Sequence, residues 1–472
     1  MNKKKGLVII HIDGLGCEYF KKALEDRIMP FTQELIDKED YEIVPYYCGL
    51  PSTTPYCQAG ILYGDNREIP SFRWWDKEAG FLIEFGLGSS FEKVSHKYFQ
   101  SCKPLIKDGA CIAACYPAGA KETFGLAYRT SNGRALFAWG LNPFHYLVWL
   151  IHGIFAILRF NRQLLTAEIM RQKIAWKYVY GQILEDIFLH NLTLSTIRRA
   201  MRDGFPIIYG GFYAYDETAH AFGPTNKYCQ QILHQTDLTI KSIASFARKG
   251  IRDYDVVVLS DHGQVETSLF MDKTHNTLGE YVSEWLPTFE VEECPGRVIK
   301  TAQNLDGHLI ITYSGGLGHL YFKDISWRMK HSEIEKKTPG LIAKIANLEQ
   351  VEAVITFEDK TSFITTKDVR YEFSQNNFPK AVLNYLSKFA KADEVAKQIL
   401  KLNSFERSGD MILLGKYSKG KQVNFENQIG GHGSLGGEQM KPFILVKKDW
   451  GFAKKQISDA TELYSLLKSH RG

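Results

Sequence analysis

The sequence predicts an α/β fold: a mostly parallel central sheet with helices on both faces, a helical hydrophobic insertion and a small α+β lobe. Three apolar runs, Lys5–Ile12, Phe205–Phe212 and Asp255–Ser260, carry the prediction. Continuous Val/Ile/Leu runs of strand length belong to strands covered on both faces, as in parallel sheets. Each run leads to acids or imidazoles: Asp13-Gly14, Asp216-Glu-Thr-Ala-His220 and Asp261-His262-Gly263. A further run, Pro442–Val446, follows Gly430-Gly431-His432-Gly433. In open α/β sheets ligand sites collect at the carboxyl ends of the strands.

The ligand-type residues extend from Asp13 to His432, so the catalytic core spans the chain and is interrupted twice. The expected division is core at 1–115, a hydrophobic and basic helical insertion at 116–201, and core at 202–280. An α+β lobe at 281–404 precedes the last part of the core at 405–472. In the lobe, Gly307–Tyr313 and His319–Phe322 read as strands joined by the turn Gly315-Gly-Leu-Gly318. That turn joins strands and opens no helix, so a hairpin is its reading and a phosphate loop is not. Gly340–Asn347 has a helical pattern and Val351–Phe357 that of a strand.

Asp216 and His220 stand four apart, so one helical turn directs both to one side. Asp261 and His262 are adjacent and share an ion only where the chain turns at a strand tip, which Gly263 permits. His432 sits among glycines, as on a bare, closely packed loop. Three Asp and three His in such positions suit a divalent ion such as zinc or manganese. A nucleophile is supplied by Leu50-Pro-Ser-Thr-Thr-Pro55, ahead of a helical Tyr56–Tyr63. A hydroxyl at a helix N-terminus meets oriented N–H donors suited to phosphate, and a bound metal activates it without a His base. His11, two residues before Asp13, reads as a buried strand residue, and Trp74 and Trp75 as packing residues.

In order and neighbourhood, Asp13-Gly14, Pro51-Ser-Thr-Thr54, Asp216…His220, Ser260-Asp-His-Gly263 and Gly431-His-Gly433 resemble the alkaline phosphatase superfamily. Within it the set is most similar to the type I phosphodiesterase/nucleotide pyrophosphatase branch and phosphonoacetate-hydrolase-like enzymes. Those families carry a Pro-x-x-Thr nucleophile followed by Gln-Ala and then Gly, a register that Thr54, Gln58-Ala59 and Gly64 fit. The resemblance thus implies Thr54 as nucleophile. Pro55 stands one position earlier than the family's proline, which leaves Thr53 as the alternative. It further implies one ion held by Asp216, His220 and His432, and another by Asp13, Asp261, His262 and the Thr54 oxygen. Zinc is the expected metal and manganese the alternative. Glu68–Asp76 resembles the family stretch ending Trp-Tyr-Asp, but Phe72 stands where many members place a phosphate-binding Asn. The neighbouring Arg73 is the candidate substrate contact.

The implied function is a two-metal phosphodiesterase or nucleotide pyrophosphatase acting through a phosphothreonyl intermediate. The alternatives are a phosphonate hydrolase, a phosphomonoesterase or mutase of the superfamily, and a membrane-associated scaffold that keeps the metal site. Sulfatase chemistry is excluded, because no Cys-x-Pro-x-Arg signature is present. A net charge of +5 over 472 residues predicts no nucleic-acid polymer as partner. The opening Met1–Ile10 lacks a long apolar leader and a small-residue cleavage site, and eight scattered Cys form no C-x-x-C pair. The expectation is a cytoplasmic protein with reduced thiols. Leu136–Leu158 is long and apolar enough to suggest a membrane span, yet a single crossing would separate Asp13 and Thr54 from the later ligands. Arg159, Arg162, Arg171, Lys173 and Lys177 follow it, as beside an anionic surface. The segment therefore fits either a peripheral contact with the inner membrane surface or a hydrophobic lid or dimer interface. The expected substrate is a small-molecule or lipid phosphodiester.

Overall fold

A computed structural model describes residues 5–85, 90–125, 189–272, 275–296, 298–300 and 305–471, together with Ile151, Ile154 and Leu158. The rest of the Leu136–Leu158 stretch and its basic flank up to Lys177 lie outside the described residues. The central sheet has seven strands, in the order Tyr41–Pro45, Phe443–Lys447, Tyr254–Leu259, Gly6–Ile12, Ile207–Phe212, Ala110–Ile112, Glu122–Phe124. Gly6–Ile12 lies at the centre and pairs in parallel with Ile207–Phe212 and Tyr254–Leu259. Phe443–Lys447 alone runs antiparallel to its neighbours.

Side-chain alternation sorts the central strand between two cores. Leu7 and Ile9 pack with Tyr56, Ile61, Leu62 and Leu463, from the helices Thr54–Tyr63 and Thr461–Ser469 on one face. Val8, Ile10 and Ile12 pack with Phe20, Leu35, Ile197 and Ile232, from helices on the other. This double coverage explains why the strand is apolar throughout, and all seven of its residues are buried. At about 25 cal/mol per Å² of apolar surface, such two-sided burial is what fixes the sheet's position.

A second sheet of eight strands stands beside the first, in the order Val298–Lys300, Phe289–Cys294, Gly307–Ser314, Leu317–Phe322, Met411–Gly415, Val351–Glu358, Thr361–Thr365, Arg370–Phe373. The hairpin between Gly307–Ser314 and Leu317–Phe322 has the two-residue turn Gly315-Gly316, with Ser314 opposite Leu317. The lobe read as 281–404 extends further along the chain, since Met411–Gly415 is an inner strand of this sheet, buried at every residue. Likewise, Glu122–Phe124 and the helix His190–Arg202, inside the span read as insertion, belong to the main sheet and its cover. Among the described residues, no helix is long and apolar enough to cross a membrane. The eight cysteines are free thiols.

A buried carboxylate ties two helices of one face together. Asp237, on Lys227–Phe246, accepts from Phe31 N (3.0 Å), Thr32 N (2.8 Å) and Thr32 Oγ1 (2.6 Å) at the start of Pro30–Lys38. It supplies the N-terminal cap that Met29 lacks. Asp237→Ala strands three donors and is expected to lower stability by about 2–3 kcal/mol, as measured by urea unfolding.

Candidate active site

Three adjacent parallel strands deliver the sequence-predicted residues to one edge of the sheet. Asp13 directly follows Gly6–Ile12, and Asp261-His262 closely follow Tyr254–Leu259. Ile207–Phe212 leads into the helix Ala214–Phe222, which carries Asp216 and His220 on one side, His220 Nε2 lying 3.0 Å from Asp216 Oδ2. His432 arrives by a different route. Gly430–Gly431 pairs antiparallel with Val265–Leu269, the strand just after His262, with Gly431 opposite Val265. Because Phe443–Lys447 is antiparallel, the chain before it also lies at this edge.

The six residues form one contiguous cluster. His432 Nε2 is 3.3 Å from His220 Nε2 and 3.9 Å from Asp216 Oδ1. His262 Nε2 is 3.5 Å from Asp13 Oδ1 and 3.7 Å from Asp261 Oδ2. The His262 ring stacks on that of His432 with centroids 4.0 Å apart, so His262 joins the two halves. Ligand atoms of Asp216, His262 and His432 also fall within 4.8 Å of one another, as do those of His11, Asp13 and Asp261. His220 Nε2 sits against Asp216, while His262 Nε2 lies near Asp13 and Asp261 and also falls with Asp216 and His432.

These residues fit a divalent-metal site. Each histidine sets Nδ1 against a backbone carbonyl: His220 on Gly430 (2.9 Å), His262 on Gly263 (3.0 Å) and His432 on Ser52 (2.8 Å). That contact protonates Nδ1 and leaves the Nε2 lone pair directed into the cluster, as metal-ligating histidines require. Asp261 Oδ2 is fully buried with no hydrogen-bond donor. Burial, then the neighbouring Asp261 and Asp216 carboxylates, push Asp13 well above the usual carboxylate range. Burial acts in the same upward direction on Asp216, but His220 and then His432 overcome it and hold that carboxyl below its usual range. Crowded anions of this kind call for a cation.

Thr54 is the first residue of its helix, and its Oγ1 stands 3.1 Å from His262 Nε2 and 3.4 Å from Asp13 Oδ1. Thr53 Oγ1 is buried with no partner and does not line the cavity that Thr54 faces. That cavity, of about 330 Å³, is also bounded by Phe72, Arg73, Tyr213 and Glu217. Gly125 and Leu189 also lie on its wall, and a Cβ on Gly125 would sit 3.5 Å from Leu189 Cδ1. Arg73 does reach the cavity, but its guanidinium is engaged by Glu84 (2.7 Å), Glu426 (2.8 Å) and the Tyr313 carbonyl (2.9 Å). A larger cavity of about 690 Å³ lies near Trp327, Arg328 and Arg407 and contains none of the cluster. Trp74 is fully buried, as a packing residue should be.

Gln264 and Glu426 are absent from the sequence reading, and His11, read there as a buried strand residue, also reaches the site. Gln264 Nε2 donates to the Asp216 backbone carbonyl at 3.0 Å and at 2.5 Å to its Oδ1. His11 Nε2 lies 2.9 Å from Asp261 Oδ1. Glu426 accepts from Gly315 N at 2.7 Å, which makes the lobe's hairpin part of the cavity wall. His11 was detectable, because residues two apart on a strand share a face and Asp13 follows it by two. Glu426 offered no local signal.

This fold with this cluster defines a hydrolase of the alkaline phosphatase superfamily. More narrowly, the chain belongs to the type I phosphodiesterase/nucleotide pyrophosphatase family, whose model matches residues 7–294. No curated protein matches it in sequence. Among solved structures it is similar to phosphonoacetate hydrolase from Sinorhizobium meliloti 1021 in complex with phosphonoformate. That match has 12% identity and a TM-score of 0.53, over 99% of this chain and 96% of the other. It is also similar to murine ectonucleotide pyrophosphatase/phosphodiesterase 5, at 12% identity and a TM-score of 0.51 over 98% and 94% of the two chains. An inactive Thr-to-Ala form of that murine protein in complex with AMP matches at 12% and 0.52, over 99% and 95%.

Gly14 has φ +72°, and a Cβ there would lie 2.1 Å from Asp216 Oδ1. Gly14→Ala is expected to displace that carboxylate and weaken metal binding by about 10–100-fold, read by zinc titration of the chelator-stripped protein.

Proposed function

We propose that the chain is a two-metal phosphodiesterase of the nucleotide pyrophosphatase type, with Thr54 as its nucleophile. The observation that carries this reading is the placement of Thr54 Oγ1 at a helix N-terminus, 3.1 Å from His262 Nε2 and 3.4 Å from Asp13 Oδ1. Asp216, His220 and His432 would hold one divalent ion, and Asp13, Asp261 and His262 with Thr54 Oγ1 the other, with zinc favoured over manganese by the three imidazoles. Ions there would neutralise phosphate charge and lower the pKa of the Thr54 hydroxyl. Thr54 Oγ1 gives up its proton to solvent and forms a bond to phosphorus as the bond to the departing ester oxygen breaks, and that oxygen takes up a proton from solvent. The helix N–H groups stabilise the equatorial phosphoryl oxygens of the transition state that leads to the phosphothreonyl intermediate. Water then adds to phosphorus and returns the threonine hydroxyl. The inactive Thr-to-Ala form of the murine neighbour, in complex with AMP, supports both a threonine nucleophile and a nucleotide-sized product.

Thr54→Ala is expected to lower turnover of a nitrophenyl phosphodiester by about 10³-fold or more while elemental analysis still finds two ions. Thr53→Ala should keep activity; the reverse pattern moves the nucleophile by one residue. Diester, monoester and phosphonate substrates assayed in parallel should show diester preference. Phosphonate preference would place the chain with the phosphonate hydrolases, monoester preference with the phosphatases and mutases, and absence of turnover with a scaffold.

We also propose that the 136–158 segment brings the protein to an anionic membrane surface, with a lipid-linked or small-molecule phosphodiester as substrate. Ile151, Ile154 and Leu158 are helical and 44%, 50% and 59% exposed, and their spacing puts them on one helix face. Each large apolar side chain buried in lipid contributes about 1.5–3 kcal/mol, and the basic residues that follow in sequence add attraction. Purified protein is expected to float with anionic liposomes at low salt and to be released by high salt. Protein that stays in the soluble fraction would favour a second copy of the chain as the cover for these residues.

A further inference from the structure

Four imidazoles surround the clustered carboxylates, and one is held in the opposite sense to the others. His220, His262 and His432 each direct Nδ1 to a backbone carbonyl and Nε2 inward. His11 reverses this. Gln58 Oε1 accepts from Cys115 N at 2.9 Å, and because a backbone N–H needs an acceptor, the orientation of the Gln58 amide is fixed. Its nitrogen therefore faces Tyr213 Oη at 2.9 Å and His11 Nδ1 at 3.5 Å. Tyr213 spends its own proton on the Ala113 carbonyl at 3.0 Å, so its oxygen is free to accept from Gln58. An amide NH₂ facing Nδ1 makes that atom the lone-pair nitrogen and leaves the proton on Nε2. Nε2 is 2.9 Å from Asp261 Oδ1 and 3.8 Å from Asp13 Oδ1. The ring is fully buried, with Tyr209 and Tyr213 at centroid distances of 5.8 and 5.9 Å.

From this geometry we infer that His11 is a positioning residue and not a fourth imidazole ligand. Its Nε2 pairs electrostatically with Asp261 Oδ1 at 2.9 Å, without the angle of a hydrogen bond, and leaves Oδ2, an oxygen that also lacks a donor, for a cation. Gln58 lies one helical turn beyond Thr54. The chain Gln58–His11–Asp261 therefore links the position of the nucleophile helix to that of a carboxylate just past a strand about two hundred residues away in sequence. The other half of the site is built alike: Gln264 holds Asp216 Oδ1, while Asp216 Oδ2 faces His220 Nε2. In each half, one carboxylate oxygen is tied to a buried donor and the other is presented beside an imidazole lone pair. Outer donors of this kind orient ligands and raise affinity.

The inference rests on the metal site proposed above, and its test separates the two. In zinc-loaded protein with ¹⁵N-labelled histidine, His11 should show a protonated Nε2 and a bare Nδ1, while His220, His262 and His432 show the reverse with Nε2 on zinc. A zinc-bound Nε2 or a protonated Nδ1 at His11 overturns the inference, and this reading needs no variant to fold. Zinc titration of the stripped chain should then find two ions in the wild type. His11→Phe should weaken one of them by about 10–100-fold and leave the other unchanged. His11→Gln, whose amide nitrogen can reach Asp261, should restore most of the affinity. Unchanged affinity in His11→Phe overturns the positioning role while the metal site stands. A wild-type chain that binds no zinc overturns the metal site itself.

Discussion

Like charges forced together at the edge of a sheet are the constraint on which this structure turns. Asp13, Asp216 and Asp261 are each nearly or fully buried, and they meet because three neighbouring parallel strands end side by side. Removed from water, such a group is unfavourable by several kcal/mol per charge unless it is paired. Everything around it supplies pairing: imidazoles between the acids, backbone carbonyls to fix those imidazoles, and a buried amide and imidazole to tie the outer carboxylate oxygens. The rest of the fold holds these partners in reach. Two cores clamp the central strand from opposite faces, so the acids cannot move apart to relieve their repulsion.

Close approach of backbone is the second requirement. Gly263 leaves no room for a side chain, since a Cβ would stand 2.2 Å from the Glu438 carbonyl. Gly315, at φ +62°, is pressed against His432, whose carbonyl would lie 2.0 Å from an added Cβ. The second sheet thereby reaches the reaction edge of the first: its hairpin supports the loop that carries His432, and Glu426 links that hairpin to Arg73. The lobe is thus one wall of the site.

Asp13, Asp216, Asp261 and His262 were legible because each lies within a few positions of a strand whose apolar run marks it. Local spacing sufficed for Asp216 and His220, and a glycine-rich neighbourhood for His432. The second sheet was legible only as a hairpin, a helix and a strand, because Met411–Gly415 enters between strands that lie about ninety and sixty residues earlier in sequence. Glu426, Gln264 and the Gln58–His11 contact are long-range pairings of ordinary polar residues, and no local pattern announces them. The state of Arg73 was hidden for the same reason: its carboxylate partners are Glu84 on the adjacent strand and Glu426 from far along the chain. Its position at the cavity could be read; its two occupied hydrogen-bonding edges could not.

Gly125 and Leu189 almost touch, yet more than sixty residues separate them in sequence. Two points far apart in sequence therefore stand side by side on the cavity wall. Bringing two such points together costs little more entropy for a long intervening chain than for a short one, because closure entropy rises only as the logarithm of loop length. Evolution can accordingly lengthen or shorten the chain between Gly125 and Leu189 without re-registering a strand of the described sheets. The reaction edge and the length of that connection are, in that sense, separately heritable.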